Sequence, residues 1–167
     1  MNHQLRIYLD TSVPNFLFAD DSPEKKEITI DFFENFINKG KYKAYISSLV
    51  IAEIENTPEP SKRDQLINSI RKYPIEIISL NEYEEIEKLA QQYIDSSVIP
   101  LKKIMDALHV AVCTIYGINI LVSWNFKHLA NINQEYKIKS VNYQNKYFNE
   151  LRIITPMEMV DYGNKDI

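Results

Sequence analysis

RIYLDTSVPN, residues 6–15, opens as an apolar run and stops on an acid followed by two hydroxyls. Ile7, Tyr8 and Leu9 read as a strand, being β-branched or large apolar residues bounded by a turn signal. A strand buried in a sheet has no structural need for a carboxylate at its tip. Asp10 therefore either caps the turn that follows or belongs to a site, and the order of the elements downstream has to decide.

Working outward, residues 5–9 form the first expected strand. Ser22-Pro23-Glu24 combines a cap, a proline at the first helical position and an acid facing the dipole, so a helix is expected to residue 39, closed by Gly40. Its apolar residues Ile28, Phe32, Phe33 and Phe36 recur at helical spacing, which gives it one buried face. Residues 42–47 read as a second strand, and Ser47-Ser48 as the cap of a short helix carrying Ile51, Ala52, Glu53 and Ile54. The run NTPEP at 56–60 breaks that helix. Ser61 with Asp64 opens another to residue 73, and 75–80 is the third strand. Asn81 with Glu84 starts a helix ending near residue 94. After Pro100 the most apolar helix runs over 101–116 to Gly117, and 118–123 is a continuously apolar fourth strand, as in a strand covered on both faces. Residues 127–147 are polar, rich in Asn and Lys, and carry no clear period. A fifth strand is expected at 151–154, and Thr155-Pro156-Met157-Glu158 has capping-box spacing.

Strands alternating with helices predict an α/β architecture around a central parallel sheet of four to five strands. In such sheets the ligand crevice lies at the carboxyl ends of the strands, where Asp10 and Asn125 both fall. The 167 residues suit a single domain, 1–167, with 45% hydrophobic and 25% charged residues. A net charge of -4 gives no global attraction to nucleic acid, so any such substrate is to be held by local basic groups or through a metal. The single cysteine, Cys113, forms no internal disulfide, the first residues lack a signal peptide's pattern, and no run has the length of a membrane span. A cytoplasmic protein without a membrane partner is expected. A nucleotide-binding domain of flavodoxin type is disfavoured, because no glycine-rich phosphate loop follows any strand.

Two further acids interrupt apolar patterns: Glu53 in SSLVIAEIE and Asp106 in LKKIMDALHVAV. Each acid alone has a plain reading. Asp10 caps a turn, Glu53 lies beside Glu55 on a solvated face, and Asp106 pairs with Lys102 or Lys103 at helical spacing. Taken together they suggest a shared crevice, since a buried unpaired carboxylate costs several kcal/mol. Converging carboxylates need a compensating cation, and oxygen-only ligation suits Mg²⁺ or Mn²⁺. Such an ion binds a phosphate oxygen and activates water, which points to phosphodiester hydrolysis.

The ordered set of an apolar strand into LDTS, the SSLVIAEIE helix, the MDALHVAVC helix and LVSWNFKHL resembles the PIN-domain nucleases, and among them the VapC-like toxins. The resemblance covers about residues 5–156. It implies a PIN-like three-layer α/β/α fold and a Mg²⁺- or Mn²⁺-dependent endoribonuclease. Asp10, Glu53 and Asp106 would be the metal-binding and catalytic acids. RNA would be the substrate and an antitoxin protein a partner, with a homodimer allowed by the apolar 28–37 helix. Many family members carry a fourth acid where this chain has Asn125, a catalytic-site position whose amide brings no charge. A catalytically weak RNA- or protein-binding module is the alternative. Thr11 and Ser12 would lie beside the first acid as substrate- or water-orienting hydroxyls, and Lys103 and Lys127, with Lys102, are the phosphate candidates. His109 is either a core residue or a partner of Asp106. His128 either meets phosphate or caps a helix, and Trp124 reads as a packing anchor at the crevice edge.

Overall fold

The computed structural model describes residues 3–164. Its centre is a sheet of five parallel strands: β1 (Arg6–Leu9), β2 (Lys43–Ser47), β3 (Ile75–Ile78), β4 (Ile120–Val122) and β5 (Arg152–Ile154). Their spatial order is β3-β2-β1-β4-β5. The chain lays β1, β2 and β3 outward in one direction, then returns to place β4 on the other side of β1. The strand order reverses between β1 and β4, and this is where a doubly wound sheet opens its crevice. Leu9 pairs with Val122 there, so Asp10 leaves the sheet beside Ser123.

Helices cover the sheet in two groups, as right-handed crossovers require. On one side α1 (Ser12–Phe16), α2 (Pro23–Phe32), α3 (Ser48–Glu55), α4 (Pro60–Lys72) and α8 (Pro156–Asn164) pack among themselves. A second group comprises α5 (Tyr83–Asp95), α6 (Ile104–Ile115) and α7 (Ile132–Gln144). The result is the expected three-layer arrangement with five strands. The core is continuous, running from Ile7, Tyr8 and Leu9 through Ile46 and Leu121 to Phe32 and Phe33 on one face and Val110 and Ala111 on the other.

Local differences from the sequence expectations have physical reasons. The helix begun at Pro23 widens into a single π turn over Phe33–Ile37, where Asn38 N donates to Phe33 O at 2.8 Å. That turn lets Phe32, Phe33, Phe36 and Ile37 all face inward, while Ile28 is partly buried and Ile30 stays exposed. Gly163 of α8 makes the close fit possible, because a methyl group there would stand 2.2 Å from Phe36 Cε1. Pro60 rather than Ser61 opens α4, with Glu59 as its cap residue, and Glu82 rather than Asn81 precedes α5. Gly117 does close the α6 segment, at φ +64°. The first turn of that segment is a 3₁₀ turn, Leu101–Lys103. At α8 the capping box is formed: Glu158 N donates to Thr155 Oγ1 at 3.2 Å, and Thr155 N to Glu158 Oε1 at 3.3 Å.

Candidate active site

Five elements meet at the carboxyl ends of β1, β2 and β4. Asp10 stands at the tip of β1, almost fully buried, and its Oδ1 accepts from Ser12 N at 3.0 Å and from the Ser12 hydroxyl. The capping reading is therefore true of Asp10, yet it does not account for the carboxylate's surroundings. Burial pushes its pKa up, the Ser12 and Ser123 hydroxyls pull it down, and the charge of Asp106 raises it again. Asp106, in the first turn of α6, is raised chiefly by burial, with Glu53 adding to the rise while His109 and Lys103 oppose it. Three acids 43 and 53 residues apart along the chain thus share one electrostatic neighbourhood.

Glu53 is held differently. Its Oε1 accepts from Thr11 Oγ1 at 2.7 Å and from His109 Nε2 at 2.5 Å. Burial disfavours its charge, but His109 and Thr11 outweigh that and leave Glu53 below the ordinary carboxylate value. His109 in turn lies 2.7 Å from the Tyr8 hydroxyl through Nδ1, and Tyr8 lies 2.7 Å from Ser47 Oγ. The carboxylate can only accept, so Nε2 donates to it, and in the neutral ring Nδ1 accepts from Tyr8. Burial pushes the Tyr8 phenol far up, which keeps it a donor. Ser47 closes the chain: it ends β2, and its Oγ accepts from Leu49 N as the cap of α3, the helix that carries Glu53.

Asn125, just after β4, orients Asp106 by donating from Nδ2 to Oδ2 at 3.0 Å. Its amide oxygen accepts from His128 N at 3.1 Å. A backbone N–H must donate, so the amide oxygen is fixed toward His128 and turned from the crevice. Lys103 and Lys127 are exposed, and with partial desolvation as the largest cause they hold the His128 ring below its ordinary value. Lys103 and His128 therefore lie near Asp106, with Lys127 beside His128. Trp124 is buried and its Nε1 donates to Thr29 Oγ1 at 2.9 Å, which makes it the packing anchor anticipated and leaves it no base to stack on.

Thr11 and Ser12 lie where expected, each hydroxyl committed to an acid. Sequence reasoning missed Tyr8, Ser47 and Ser123; of the two readings of His109 the core residue holds, with Tyr8 and Glu53 as its partners. The available signal was a polar atom at the ends of apolar strands, Ser47 and Ser123 repeating the position of Asp10. Among the described residues no group of three or more His, Cys, Asp or Glu side chains stands ready to hold a metal ion.

The family model for the PIN domain matches residues 7–131, from β1 through the loop after β4. The chain belongs to the PIN domain family. Two solved structures share the fold of this PIN chain. One is VapBC2 from Rickettsia felis bound to a DNA fragment from their promoter, at 15% identity and TM-score 0.58, over 90% of this chain and 98% of that one. The other is FitAB bound to an IR36 DNA fragment, at 13% identity and TM-score 0.56, over 90% and 95% respectively. No curated protein matches the PIN chain in sequence.

Proposed function

We propose that the chain is a divalent-metal-dependent endoribonuclease hydrolysing RNA phosphodiester bonds in the cytoplasm, as the toxin of a toxin–antitoxin pair. PIN domains are generally nucleases. The observation that carries the reading is the pair Asp10 and Asp106: each is pushed up chiefly by burial, with hydroxyl and amide donors but, among the described residues, no Lys or Arg ion pair. Such a pair calls for a cation. The donor set is all oxygen and fits a hard ion that keeps several of its waters.

Asp10 and Asp106 would hold Mg²⁺ or Mn²⁺, with Glu53 joining through Oε2, the oxygen that Thr11 and His109 leave without a partner. Held by these residues, such an ion would supply Lewis-acid chemistry toward a phosphate oxygen and a bound water. The chain's own groups do the positioning. Ser12 and Ser123 orient Asp10, Asn125 orients Asp106, and Lys103 and Lys127 receive the phosphates on either side. The two neighbours of like fold, VapBC2 and FitAB, are toxin–antitoxin complexes on DNA, which supports an antitoxin partner. The proposed homodimer would use exposed apolar side chains such as Ile30 of α2 and Ile132 and Tyr136 of α7.

The test is cleavage of single-stranded RNA with EDTA, Mg²⁺ or Mn²⁺. Cleavage is expected only with the ion, and Asp10→Asn with Asp106→Asn should lower it by about 10³-fold, or about 4 kcal/mol of barrier. Undiminished cleavage by the double variant would overturn the reading. Binding without turnover by the unaltered chain would favour the non-catalytic module instead, the reading to which the neutral Asn125 lends support.

A further inference from the structure

A second cluster lies beside the crevice and the metal chemistry does not use it. Lys25, in the first turn of α2, holds its Nζ 5.4 Å from the ring centre of Phe16, 5.5 Å from Trp124 and 5.2 Å from Phe126. Cations favour ring faces at this range. Among the described residues no carboxylate forms an ion pair with Lys25: of the acids near it in sequence, Asp20 is taken by Lys26, and Asp21, Glu24 and Glu27 make none with it. The cluster therefore carries a positive charge with no counter-charge of its own.

The rings are unequal. Trp124 is 3% exposed and tied to Thr29, and Phe16 leans on it at 5.6 Å. Phe126 packs edge-on against Trp124 at 6.0 Å and still leaves 42% of itself in solvent. Its neighbours in the chain are Asn125, which touches Asp106, and Lys127. An aromatic ring braced from within, open outward, flanked by unpaired cations and one residue from a carboxylate's partner has the makings of a base-stacking platform. An apolar protein side chain would satisfy the ring but leave Lys25 without its anion; a nucleotide satisfies both.

We infer that Phe126 and Lys25 form a nucleotide subsite, the ring stacking an unpaired base and the ammonium receiving the adjoining phosphate. The inference rests on the ribonuclease reading for the identity of the polymer, and it adds a preference for single strands. Bases in an A-form duplex are already stacked and present no free face to a side chain. Every base has such a face, so the subsite selects strandedness rather than sequence.

The experiment uses the full chain with a fluorescein-labelled single-stranded oligoribonucleotide and its duplex. Affinity is read by anisotropy in EDTA, and KM by cleavage in Mn²⁺. Phe126→Leu is expected to weaken single-strand binding and raise KM by about tenfold, with duplex binding unchanged, while Phe126→Trp keeps the wild-type values. Lys25→Met is expected to flatten the dependence of log affinity on log salt by about 0.7. Thermal unfolding of each variant separates these effects from misfolding. If RNA is cleaved and Phe126→Leu matches wild type in both affinity and KM, the subsite falls and the nuclease stands. Equal losses on single strand and duplex would also overturn it. If RNA is neither bound nor cleaved, both readings fall.

Discussion

The two sides of the crevice answer the same problem in opposite ways. On the α3 side, Glu53 is enclosed by Thr11 and His109, and the chain of hydrogen bonds runs on through Tyr8 to Ser47. Its charge is favoured by the protein itself, net of a burial term that works against it. On the β1–α6 side, Asp10 and Asp106 receive neutral hydrogen-bond donors, and burial holds both above their ordinary values, with the charge of Asp106 adding to the rise at Asp10 and that of Glu53 to the rise at Asp106. One side is satisfied by the fold; the other carries negative charge that the fold does not neutralise. The difference teaches where a cation belongs, and it makes the two sides separable by experiment.

The largest expected effect is on the satisfied side. His109→Leu removes one hydrogen bond from the buried Tyr8 phenol and one from the half-buried Glu53 carboxylate, each of which keeps its other partner, Ser47 and Thr11. A lost neutral bond costs about 0.5–1.5 kcal/mol and one to a charged group about 1.5–3 kcal/mol, so a loss of about 3 kcal/mol and a fall in Tm of about 6–12 °C are expected. His109→Gln, which can still donate to Glu53, should recover part of it. A His109→Leu chain that unfolds at the wild-type temperature would show that the relay does not secure Glu53.

Next in size comes a reversal on the open side. Because burial raises the folded-state pKa of Asp106, the native state binds its proton more tightly than the unfolded chain does. Its contribution to stability is therefore full below the ordinary carboxyl value of 3.8 and is lost as pH rises through the raised folded value. In EDTA at neutral pH, Asp106→Asn should be the more stable chain by about 1 kcal/mol, and the gap should close below that acid limit. Glu53 has the opposite sign: its stabilisation is present above 4.5 and disappears as pH falls through the lowered folded value, so Glu53→Gln should be the less stable chain at neutral pH. Adding Mn²⁺ to about 100 times its Kd stabilises the wild type by about 2.7 kcal/mol. The order of wild type and Asp106→Asn should then invert. Melting curves in EDTA and in Mn²⁺ check this, and an order that stays the same in both would count against a cation on that side.

How much of this was legible in the sequence follows the same division. Asp10, Glu53 and Asp106 were visible because a carboxylate interrupts an otherwise apolar pattern, and that interruption is local. The contact between Glu53 and His109 was not, since 56 residues separate them and only the sheet order brings α3 and α6 to either side of Tyr8. The short helix α1 escaped notice because Pro14 reads as a turn, although proline is tolerated in a helix's first turn. Residues 132–144 looked too polar for a packed helix, yet two of the inward side chains of α7 are amides. Gln134 donates to Val98 O at 2.5 Å and Asn142 to Thr114 Oγ1 at 3.1 Å. Buried amides satisfied by distant partners are invisible to a hydrophobic period. The alternation of strands with helices and the capping at Thr155 were readable for the converse reason, being set by short-range chemistry.

The smallest effect expected bears on the position where the two sides nearly meet. Asn125→Asp keeps the acceptor for His128 N but replaces the donor to Asp106 with a second carboxylate oxygen. Without a metal, like charges then face each other and the chain should lose about 1 kcal/mol, a fall in Tm of about 2–4 °C. With Mn²⁺ the added charge strengthens the oxygen donor set, because hard cations follow ligand charge. The Mn²⁺-induced rise in Tm should therefore be larger in Asn125→Asp than in the wild type, by an amount similar to the metal-free loss. A variant destabilised equally with and without the ion would mean that residue 125 supports Asp106 structurally and lies outside the cation's reach. The larger rise would extend the unneutralised side of the crevice from β1 and α6 to the loop after β4.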